Sequence, residues 1–320
     1  MAKTVFLVIP CYNEEKVLDE TSKRVSEKLN FLINTGKISG KSRALFVDDG
    51  SKDLTWEIIS GLHNQNPLLE GLKLSRNRGH QYALLSGLMV AKNHADAVIS
   101  MDADLQDDVD VIDKFIDEFL SGSDIVYGVR SSRAKDTFFK KTTAEGFYKI
   151  MKSMGVEIVF NHADYRLMSR RSLESLSEYK ETNLFLRGIV PLIGFKSTVV
   201  EYERHERFAG ETKYPLKKMI AFALDGITSF SVKPIRLILS LGIFLFCASL
   251  ILMIYFLIVC LMGYPVEGWT ITVGSMWMLG GVQLICLGVV GEYVGKIYSE
   301  TKRRPPFIID RNTLEDNDER

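Results

Sequence analysis

Short apolar runs alternate along the first 130 residues with stretches whose apolar positions recur at helical spacing. The runs rich in β-branched residues, which predict buried strands, are residues 4–10, 43–49, 71–75, 97–104 and 124–130. The amphipathic stretches between them, which predict helices, are residues 15–34, 54–65, 80–91 and 109–120. Because strands and helices alternate strictly, the pattern predicts an α/β domain with a mostly parallel sheet, in which ligands bind at the carboxyl ends of the strands.

Two longer apolar runs near the C-terminus, residues 237–266 and 268–291, contain no charged residue. About 20 apolar residues suffice for a helix to cross roughly 30 Å of hydrocarbon, so each run is a candidate transmembrane helix. Gly263 and Pro265 lie in the short connection, where they stop a helix. The pattern therefore predicts a two-helix transmembrane hairpin.

Basic residues flank this hairpin on both sides but are absent from its connection. They are Lys213, Lys217, Lys218, Lys233 and Arg236 before the first run, and Lys296, Lys302, Arg303 and Arg304 after the second. This excess of Lys and Arg predicts that both ends of the hairpin lie in the cytoplasm. The first residues of the chain hold too short an apolar stretch for a signal-peptide core, so the domain before the hairpin is also expected in the cytoplasm.

The predicted layout has four parts. Residues 1–212 form a large cytoplasmic domain, 213–234 an interfacial amphipathic region, 235–298 the two transmembrane helices, and 299–320 a cytoplasmic tail. The chain is thus expected to be a multi-pass protein of the cell membrane. Residues 138–154 and 214–230 carry lysines beside apolar stripes. Each either lies in the membrane interface or packs on the sheet as an ordinary helix.

The composition narrows the range of partners. Forty Lys and Arg residues balance forty Asp and Glu residues, and the basic residues cluster near the apolar runs rather than in a stripe. Nucleic-acid binding is therefore not expected. Three of the four cysteines, Cys247, Cys260 and Cys286, lie in the apolar runs, and no CxxC motif occurs. Neither disulfides nor a structural zinc site is expected.

Four polar motifs follow the first four predicted strands. They are CYNEE at residues 11–15, DDGS at 48–51, SRNRGH at 75–80 and DADLQD at 102–107. Because the carboxyl ends of parallel strands meet at one edge of a sheet, the four motifs are expected to converge there. This edge is the candidate ligand site.

The DADLQD motif has the spacing of a cation site. Residues two apart in an extended segment point to the same side, so Asp102, Asp104 and Gln106 present three oxygen ligands together. Mg²⁺ or Mn²⁺ usually takes one or two protein carboxylates plus phosphate oxygens, which suits a nucleotide-diphosphate ligand. An isolated match is more often an acidic loop or a helix cap, but the position after a strand and the three companion motifs favour a metal site.

The DDGS motif allows two interpretations. Asp48 or Asp49 can accept a hydrogen bond from a ribose hydroxyl or from the N3–H of a uracil, while Gly50 permits close backbone approach. Alternatively, the segment is a turn before the second helix, capped by Ser51 or Asp53. The two interpretations are compatible.

Seven motifs follow one another in a specific order along nearly the whole chain. They are IPCYNEE (9–15), VDDGS (47–51), LSRNRGHQ (74–81), MDADLQD (101–107), YGVR (127–130), DYRLMSR (164–170) and RFAGETKY (207–214). With this order the chain resembles the inverting family-two glycosyltransferases of GT-A fold. Within that family, the C-terminal hairpin makes it similar to the polyprenyl-phosphate glycosyltransferases, a group that includes dolichol-phosphate mannose synthases and bactoprenol glucosyltransferases.

The resemblance implies roles for individual residues in a GT-A catalytic domain over residues 1–212. The donor nucleotide sugar would be bound by Pro10, Tyr12, Glu14, Asp48, Asp49, Asp102 and Lys213, the last in a segment that closes over the donor. Asp102, Asp104 and Gln106 would hold Mg²⁺ or Mn²⁺ and the diphosphate. The acceptor phosphate would meet Arg130, with Arg133, Lys140 and Lys141 as further candidates. Asp104, Asp164 and Arg130 are the expected catalytic residues.

Three further positions receive specific interpretations. Asp164 resembles an acidic residue near the acceptor. A phosphate monoester has a second pKa of about 6 and needs no general base near neutral pH, so Asp164 is expected mainly to position arginines such as Arg166. Arg78 stands where relatives commonly carry an aromatic residue, and either contacts a ligand or is a solvated loop charge. His80 begins the third predicted helix, where it is an ordinary loop residue or touches the donor anion.

These expectations combine into one function. The chain would transfer a hexose to undecaprenyl phosphate with inversion, for use in cell-envelope glycan modification. UDP-glucose is the expected donor, and mannose, N-acetylglucosamine and modified pentose donors stay open because no single residue distinguishes them. The resemblance also suggests a homo-oligomer, a tetramer in relatives. A processive polysaccharide synthase would share the fold and metal site, but no QxxRW motif is present. A non-catalytic membrane scaffold of the same fold is the second alternative, and the intact motifs disfavour it.

Overall fold

The computed structural model describes residues 2–130, 162–182, 184–203, 232–262 and 268–316. The chain forms two compact units. The first comprises Met1–Tyr148, Glu157–Tyr214 and Arg304–Arg320, and the second comprises Lys149–Val156 and Pro215–Arg303.

The first unit is built on one eight-stranded sheet with the order β7-β5-β6-β4-β1-β2-β3-β8. The strands are β1 (Val5–Cys11), β2 (Arg43–Asp48), β3 (Leu69–Leu74), β4 (Ala97–Ser100), β5 (Ile125–Arg130), β6 (His162–Ser169), β7 (Ser197–Tyr202) and β8 (Ile309–Asn312). The helices are α1 (Leu18–Asn34), α2 (Thr55–Gln65), α3 (His80–Ala91), α4 (Ile112–Leu120), α5 (Arg170–Ser177), α6 (Leu186–Leu192) and the short α9 (Thr313–Asp316). Among the described strands, four pairs are parallel and three are antiparallel, which confirms the predicted α/β fold with a mostly parallel sheet.

The central strands are covered on both faces, which explains their continuous apolar sequences. All seven residues of β1 are buried. On one face, α1 contributes Leu18, Val25, Leu29 and Leu32 to the core. On another, α3 approaches the sheet at Gly87, where an added Cβ would lie 2.5 Å from Val8 Cγ1 and 2.7 Å from Val47 Cγ2. This close approach fixes the first residue of α3, His80, at the carboxyl edge of the sheet.

The end of the chain returns to this sheet. The sequence pattern assigned residues 299–320 to a tail, but β8 pairs antiparallel with β3, and Ser75 donates its backbone N–H to the carbonyl of Ile308 at 2.9 Å. The Thr313 hydroxyl donates to the buried carboxylate of Glu70 and accepts from the Gly71 N–H at 2.9 Å. Three of the four β8 residues are exposed, so β8 has no apolar alternation by which the sequence would reveal it.

The second unit contains two long helices, α7 (Lys233–Leu261) and α8 (Trp269–Thr301), of 29 and 33 residues. Large apolar side chains are exposed along them, including Phe244 at 67% and Leu284 at 71%. Among the described residues, the stretch Met278–Thr301 is long and apolar enough to cross a membrane. The predicted interfacial segments, 138–154 and most of 213–234, lie outside the described residues.

Candidate active site

Hydrogen bonds tie the loop after β1 to the loop after β2. Asn13 adopts a positive φ of 54°, accepts the Lys52 N–H on its side chain at 2.9 Å, and donates its own N–H to Ser51 Oγ at 3.0 Å. The Glu14 N–H donates to Thr55 Oγ1 at 2.9 Å. These bonds hold the predicted donor-binding residues at the carboxyl edge of the sheet. Of these residues, Pro10 is buried, Glu14 is half-buried and Tyr12 is 40% exposed.

The two aspartates of DDGS have different tasks in the structure. Both oxygens of Asp49 accept backbone N–H groups, from Arg78 at 2.7 Å and from Gly79 at 2.8 Å. Asp48 is fully buried, its Oδ1 accepts the Ser51 N–H at 3.0 Å, and its Oδ2 has no hydrogen-bond partner among the described residues. Burial raises the pKa of both carboxyls. Asp49 therefore fixes the loop before α3, whatever else it contacts.

Gly50, Asp53 and Arg78 also make close contacts in these two loops. Gly50 has a φ of +62°, and an added Cβ would lie 2.6 Å from the backbone of Arg76 and Asn77. Asp53 accepts the Thr55 N–H at 3.1 Å in a turn just before α2, whose N-cap residue is Leu54 and makes no side-chain cap hydrogen bond. Arg78 donates from its guanidinium to the Pro305 carbonyl at 3.1 Å, so it contacts the C-terminal segment.

The residues of the DADLQD turn alternate between two degrees of burial. Burial alternates along it, with Asp102, Asp104 and Gln106 half-buried and the intervening Ala103 and Leu105 buried. Leu105 has a φ of +57°, and the Asp104 carboxylate accepts the Gln106 N–H at 3.2 Å. A non-glycine residue in this region is strained, and the turn maintains that strain next to the candidate site.

The charges around Asp102 suit a hard divalent cation. Burial raises the pKa of Asp102, and the charges of Asp164 and Asp104 add to the effect, while His80 and Arg187 oppose it. Among the described residues, neither a Lys nor an Arg forms an ion pair with Asp102, and no group of three or more His, Cys, Asp and Glu side chains could hold a metal by itself. The set predicted from the sequence, two carboxylates and one amide, would suit Mg²⁺ or Mn²⁺ only if a ligand supplied further oxygens.

Asp164, near the start of β6, is surrounded by cationic groups. Arg166 Nη2 donates to its carboxylate at 2.6 Å, and Arg187 donates through Nε at 3.2 Å and Nη2 at 3.0 Å. His80 Nε2 lies 3.5 Å from the same carboxylate. Burial alone would raise the pKa of Asp164, but Arg187, His80 and Arg166 hold it well below its ordinary value.

His80 connects the two groups of residues. Its Nε2 lies 3.8 Å from Asp102 Oδ1 as well as 3.5 Å from Asp164 Oδ2. Burial lowers the pKa of His80, but the hydrogen bond to Asp164 and the charge of Asp102 outweigh that effect and raise it. Of the two interpretations of His80 made from sequence, a position inside the site is the one that the geometry favours.

Arg187 is a site residue that the sequence analysis did not identify. It lies in α6, within the apolar stretch LFLRGIVPLIGF, and no motif marks it. The one available signal was a lone arginine among the apolar residues of a short helix. An arginine in such a buried setting usually has a charged partner. Its partner Asp164 is 23 residues earlier in the chain.

Arg130 lies at the end of β5 beside a second buried carboxylate. The Tyr202 hydroxyl donates to Asp107 Oδ1 at 2.7 Å. Burial and the charge of Asp102 raise the pKa of Asp107 to about 6, while Tyr202 and Arg130 lower it. The remaining predicted acceptor and donor residues, Arg133, Lys140, Lys141 and Lys213, lie outside the described residues.

The mostly parallel sheet and the acidic residues at its carboxyl edge agree with the GT-A fold expected from the sequence. The chain belongs to glycosyl transferase family 2, because the model of that family matches residues 6–177 and curated relatives align over nearly the whole chain. A second model, described as the GtrB C-terminal hairpin, matches residues 233–297. The predicted family and enzyme class are confirmed.

Two relatives and one solved structure align with most of this chain. The protein described as uncharacterized glycosyltransferase YkoT from Bacillus subtilis (strain 168) is 55% identical over 95% of this chain and 90% of its own. The bactoprenol glucosyl transferase of Shigella phage SfV is 41% identical over 95% of this chain and 97% of its own. The crystal structure of mannosyl-3-phosphoglycerate synthase from Rubrobacter xylanophilus is 15% identical, covers 70% of this chain and 71% of its own, and has a TM-score of 0.46.

Proposed function

We propose that this glycosyltransferase moves a hexose, foremost glucose from UDP-glucose, onto a polyprenyl phosphate such as undecaprenyl phosphate, with inversion at the anomeric carbon. The name of the Shigella phage relative supports the acceptor class and the sugar. The main observation in support is that His80 lies between two carboxylates with different surroundings, Asp102 and Asp164. Asp102 on one side lacks an Arg or Lys ion pair among the described residues, and Asp164 on the other side has two arginines.

The acidic side is the proposed donor side. Asp102, Asp104 and Gln106 would hold Mg²⁺ or Mn²⁺, which when bound neutralises charge on the departing diphosphate. Pro10, Tyr12, Glu14 and Asp48 line the proposed nucleotide site, with Lys213 in the segment proposed to close over it. Asp49 contributes by fixing Arg78 and Gly79, and through them the start of α3.

The cationic side is the proposed acceptor side. A phosphate monoester is mostly dianionic at neutral pH and attacks without losing a proton to the protein. Asp164 is therefore proposed to position Arg166 and Arg187 rather than to act as a base. Arg130, together with Arg133, Lys140 and Lys141, is proposed to bind the acceptor phosphate, because a guanidinium fork matches phosphate oxygens.

A membrane hairpin formed by α7 and α8 is proposed to bring a lipid acceptor to this site. The unit-two segment 215–303 is preceded and followed by segments of the same sheet, which supports an even number of membrane crossings. The lengths of α7 and α8 and the family-model match over residues 233–297 support two crossings, with the sheet in the cytoplasm.

A donor panel tests the function. Purified protein in detergent is incubated with undecaprenyl phosphate, Mg²⁺ or Mn²⁺, and labelled UDP-glucose, UDP-N-acetylglucosamine or GDP-mannose. We expect label in the organic extract with one donor, and no label when undecaprenol is supplied instead of undecaprenyl phosphate. NMR of the product should show the anomeric configuration opposite to that of the donor. Label in an insoluble polymer would instead favour a processive synthase, and no turnover with any donor would favour a scaffold.

Cysteine labelling tests the membrane arrangement. In a variant without the native cysteines, Gly268→Cys is expected to react with an impermeant maleimide in intact cells, because Gly268 precedes α8 on the proposed outer side. Asp310→Cys, in β8, is expected to react only after the cells are opened. Labelling of residue 310 but not of residue 268 in intact cells would reverse the orientation.

A further inference from the structure

The last residues of β5 and β7 lie side by side in the sheet. The two strands run parallel, and their register pairs Arg130 with Tyr202. Paired residues of neighbouring strands direct their side chains to the same face, so Tyr202 is the lateral neighbour of the arginine proposed to bind the acceptor phosphate. Tyr202 is 3% exposed, and it belongs to none of the seven sequence motifs. The pairing therefore brings an unassigned buried hydroxyl to the candidate site.

The Tyr202 hydroxyl connects this arginine to the DADLQD turn. The hydroxyl donates to Asp107 Oδ1 at 2.7 Å, and the Arg130 side chain forms a hydrogen bond with the same hydroxyl. A tyrosine hydroxyl has one hydrogen to donate and can also accept, so Arg130 donates to Tyr202 while Tyr202 donates to Asp107. Burial, followed by the charge and the hydrogen bond of Asp107, raises the pKa of Tyr202, so the hydroxyl keeps its proton at neutral pH.

Asp107 lies inside the turn that carries the predicted metal ligands. It is 2% exposed, and its second oxygen, Oδ2, accepts the backbone N–H of Asp102 at 3.5 Å, a long contact. Arg130 is close enough for its charge to act on this carboxylate. Side chains from β5, β7 and the turn after β4 thus form one hydrogen-bonded chain, which runs from Arg130 through Tyr202 to Asp107.

The ring of Tyr202 is confined by close packing. It meets the ring of Tyr165 edge to face, with the two centroids 5.3 Å apart. An added Cβ at Gly128 would lie 3.1 Å from Tyr202 Cε1 and 2.8 Å from the Tyr165 carbonyl oxygen, so the glycine of the YGVR motif leaves room for this ring. Because the ring is confined, its hydroxyl lies at a defined place, and a guanidinium bonded to it loses less entropy when it binds a ligand.

We propose that Tyr202 is a positioning residue, whose hydroxyl orients the Arg130 guanidinium for the acceptor phosphate and ties it to the DADLQD turn. The inference rests on the proposed function and deepens it. A hydroxyl carries no charge, so it orients the planar fork of a guanidinium without neutralising it. The hydrogen-bonded chain then links the group that binds the acceptor to the turn that binds the donor diphosphate, and so helps to hold the two substrates in reacting geometry.

Tyr202→Phe tests the role of the hydroxyl in the full-length protein, because it removes one oxygen and keeps the ring. Sugar transfer from UDP-glucose to undecaprenyl phosphate in mixed micelles reports the acceptor KM, and calorimetry with UDP-glucose and Mg²⁺ reports the donor Kd. We expect the acceptor KM to rise about 10-fold through the loss of one orienting hydrogen bond, while kcat and the donor Kd stay near their native values. An unchanged acceptor KM, with or without a loss of kcat, would overturn the inference.

A double-mutant cycle tests whether Tyr202 acts through Arg130. Arg130→Lys lacks the guanidinium fork and should itself raise the acceptor KM. In that background Tyr202→Phe should raise the KM by less than about twofold, because the fork that the hydroxyl orients is gone. If the two changes instead multiplied their separate effects, Tyr202 would act independently of Arg130 and the inference would be wrong.

Tyr165→Phe is a matched control from the same aromatic cluster. It also removes the hydroxyl of a buried tyrosine and keeps the ring, but this hydroxyl donates to the Asp108 backbone carbonyl at 2.8 Å. Its described contacts do not include Arg130, so the acceptor KM should stay native even where the melting temperature falls. An equal rise of the KM in Tyr165→Phe would mean that any loss in this cluster disturbs the site, and Tyr202 would have no specific role.

The proposed function and this inference fail in different ways. Native protein that binds UDP-glucose but transfers nothing to undecaprenyl phosphate would refute the proposed acceptor, and this inference with it. Native protein that transfers sugar, with Tyr202→Phe retaining the native acceptor KM, would refute the role of Tyr202 only.

Discussion

Asp102 and Asp164 are the same residue type in one site, both within 4 Å of His80, yet their surroundings are opposite. Burial acts against ionisation at both positions. At Asp102 neighbouring carboxylates strengthen that effect and the pKa is raised, whereas at Asp164 two arginines reverse it and the pKa falls well below the ordinary value. Asp102 thus has no Lys or Arg ion pair among the described residues, whereas Asp164 has two arginines.

This contrast separates ligand binding from support within a single edge of the sheet. Asp102 has no Lys or Arg ion pair among the described residues, and His80 is its nearest cationic neighbour at 3.8 Å. A carboxylate with two guanidiniums has its charge already balanced, so its loss damages the protein before any ligand binds. Mutations on the acidic side should therefore reduce turnover alone. Mutations on the cationic side should reduce both turnover and stability.

The largest effect is expected on the acidic side. Asp104→Asn should reduce turnover by about 10³-fold or more, because the lost charge supports several kcal/mol of transition-state stabilisation through the cation. Its melting temperature should stay close to that of the native protein. Turnover is measured as lipid-extractable sugar, and excess EDTA should have the same effect on the native enzyme.

A control aspartate lies in the same stretch of chain. Asp110 is largely exposed and pairs with Lys28 at 3.0 Å, so Asp110→Asn should retain nearly full turnover. Near-native activity of Asp104→Asn, or of the native enzyme in EDTA, would contradict the metal assignment.

The cationic side should combine a smaller loss of turnover with a loss of stability. Asp164→Asn should lower kcat by about 10²-fold and the free energy of unfolding by about 3–5 kcal/mol, since it leaves the buried Arg166 without its carboxylate. Replacing the arginine as well, in Asp164→Asn/Arg166→Met, should restore most of the stability but not the turnover. Chemical denaturation in detergent and the lipid-extraction assay measure the two losses.

The pH profile of the same variant tests whether Asp164 is a base. The pKa of Asp164 lies well below its ordinary value, so the carboxylate is ionised throughout pH 6–9. The ratio of native to Asp164→Asn kcat should therefore hardly change across that range. A defect that shrinks steeply as the pH rises would show that Asp164 removes a proton from the acceptor.

How far the sequence predicts this site depends on how local each feature is. The apolar alternation predicted β1 to β5 and the helices between them, and the strand-end motifs placed Asp49 and Asp102 at one edge. Arg187 in α6 pairs with Asp164 in β6, which lies 23 residues earlier in the chain. No local sequence pattern therefore predicts this pair. Similarly, β8 is held by backbone pairing with β3 rather than by an apolar face.

The loop that carries His80 between the two sides should be sensitive to Gly50. Gly50→Ala combines a positive φ with an added Cβ 2.6 Å from the backbone of Arg76, so we expect a loss of about 2–3 kcal/mol in stability and weaker UDP-glucose binding. Two glycines separate the causes. Gly36 has a φ of +72° without a close neighbour and should cost about 1 kcal/mol when replaced by Ala, and Gly40, which has neither feature, should cost nothing measurable. Equal effects at Gly36 and Gly50 would show that the contact with Arg76 contributes nothing.

The smallest effect is expected at the opposite edge of the sheet, where both sides of the site should be spared. Thr313→Val removes a hydroxyl that donates to Glu70 and accepts from the Gly71 N–H, which should cost about 1–3 kcal/mol because Glu70 is buried. Thr313→Ser keeps the hydroxyl and should retain most of the stability. Neither change touches Asp102 or Asp164, so the donor Kd and the acceptor KM should remain native at temperatures where the protein is folded. If Thr313→Val instead weakened substrate binding as much as Gly50→Ala, the C-terminal strand would be a working part of the site rather than a support for β3.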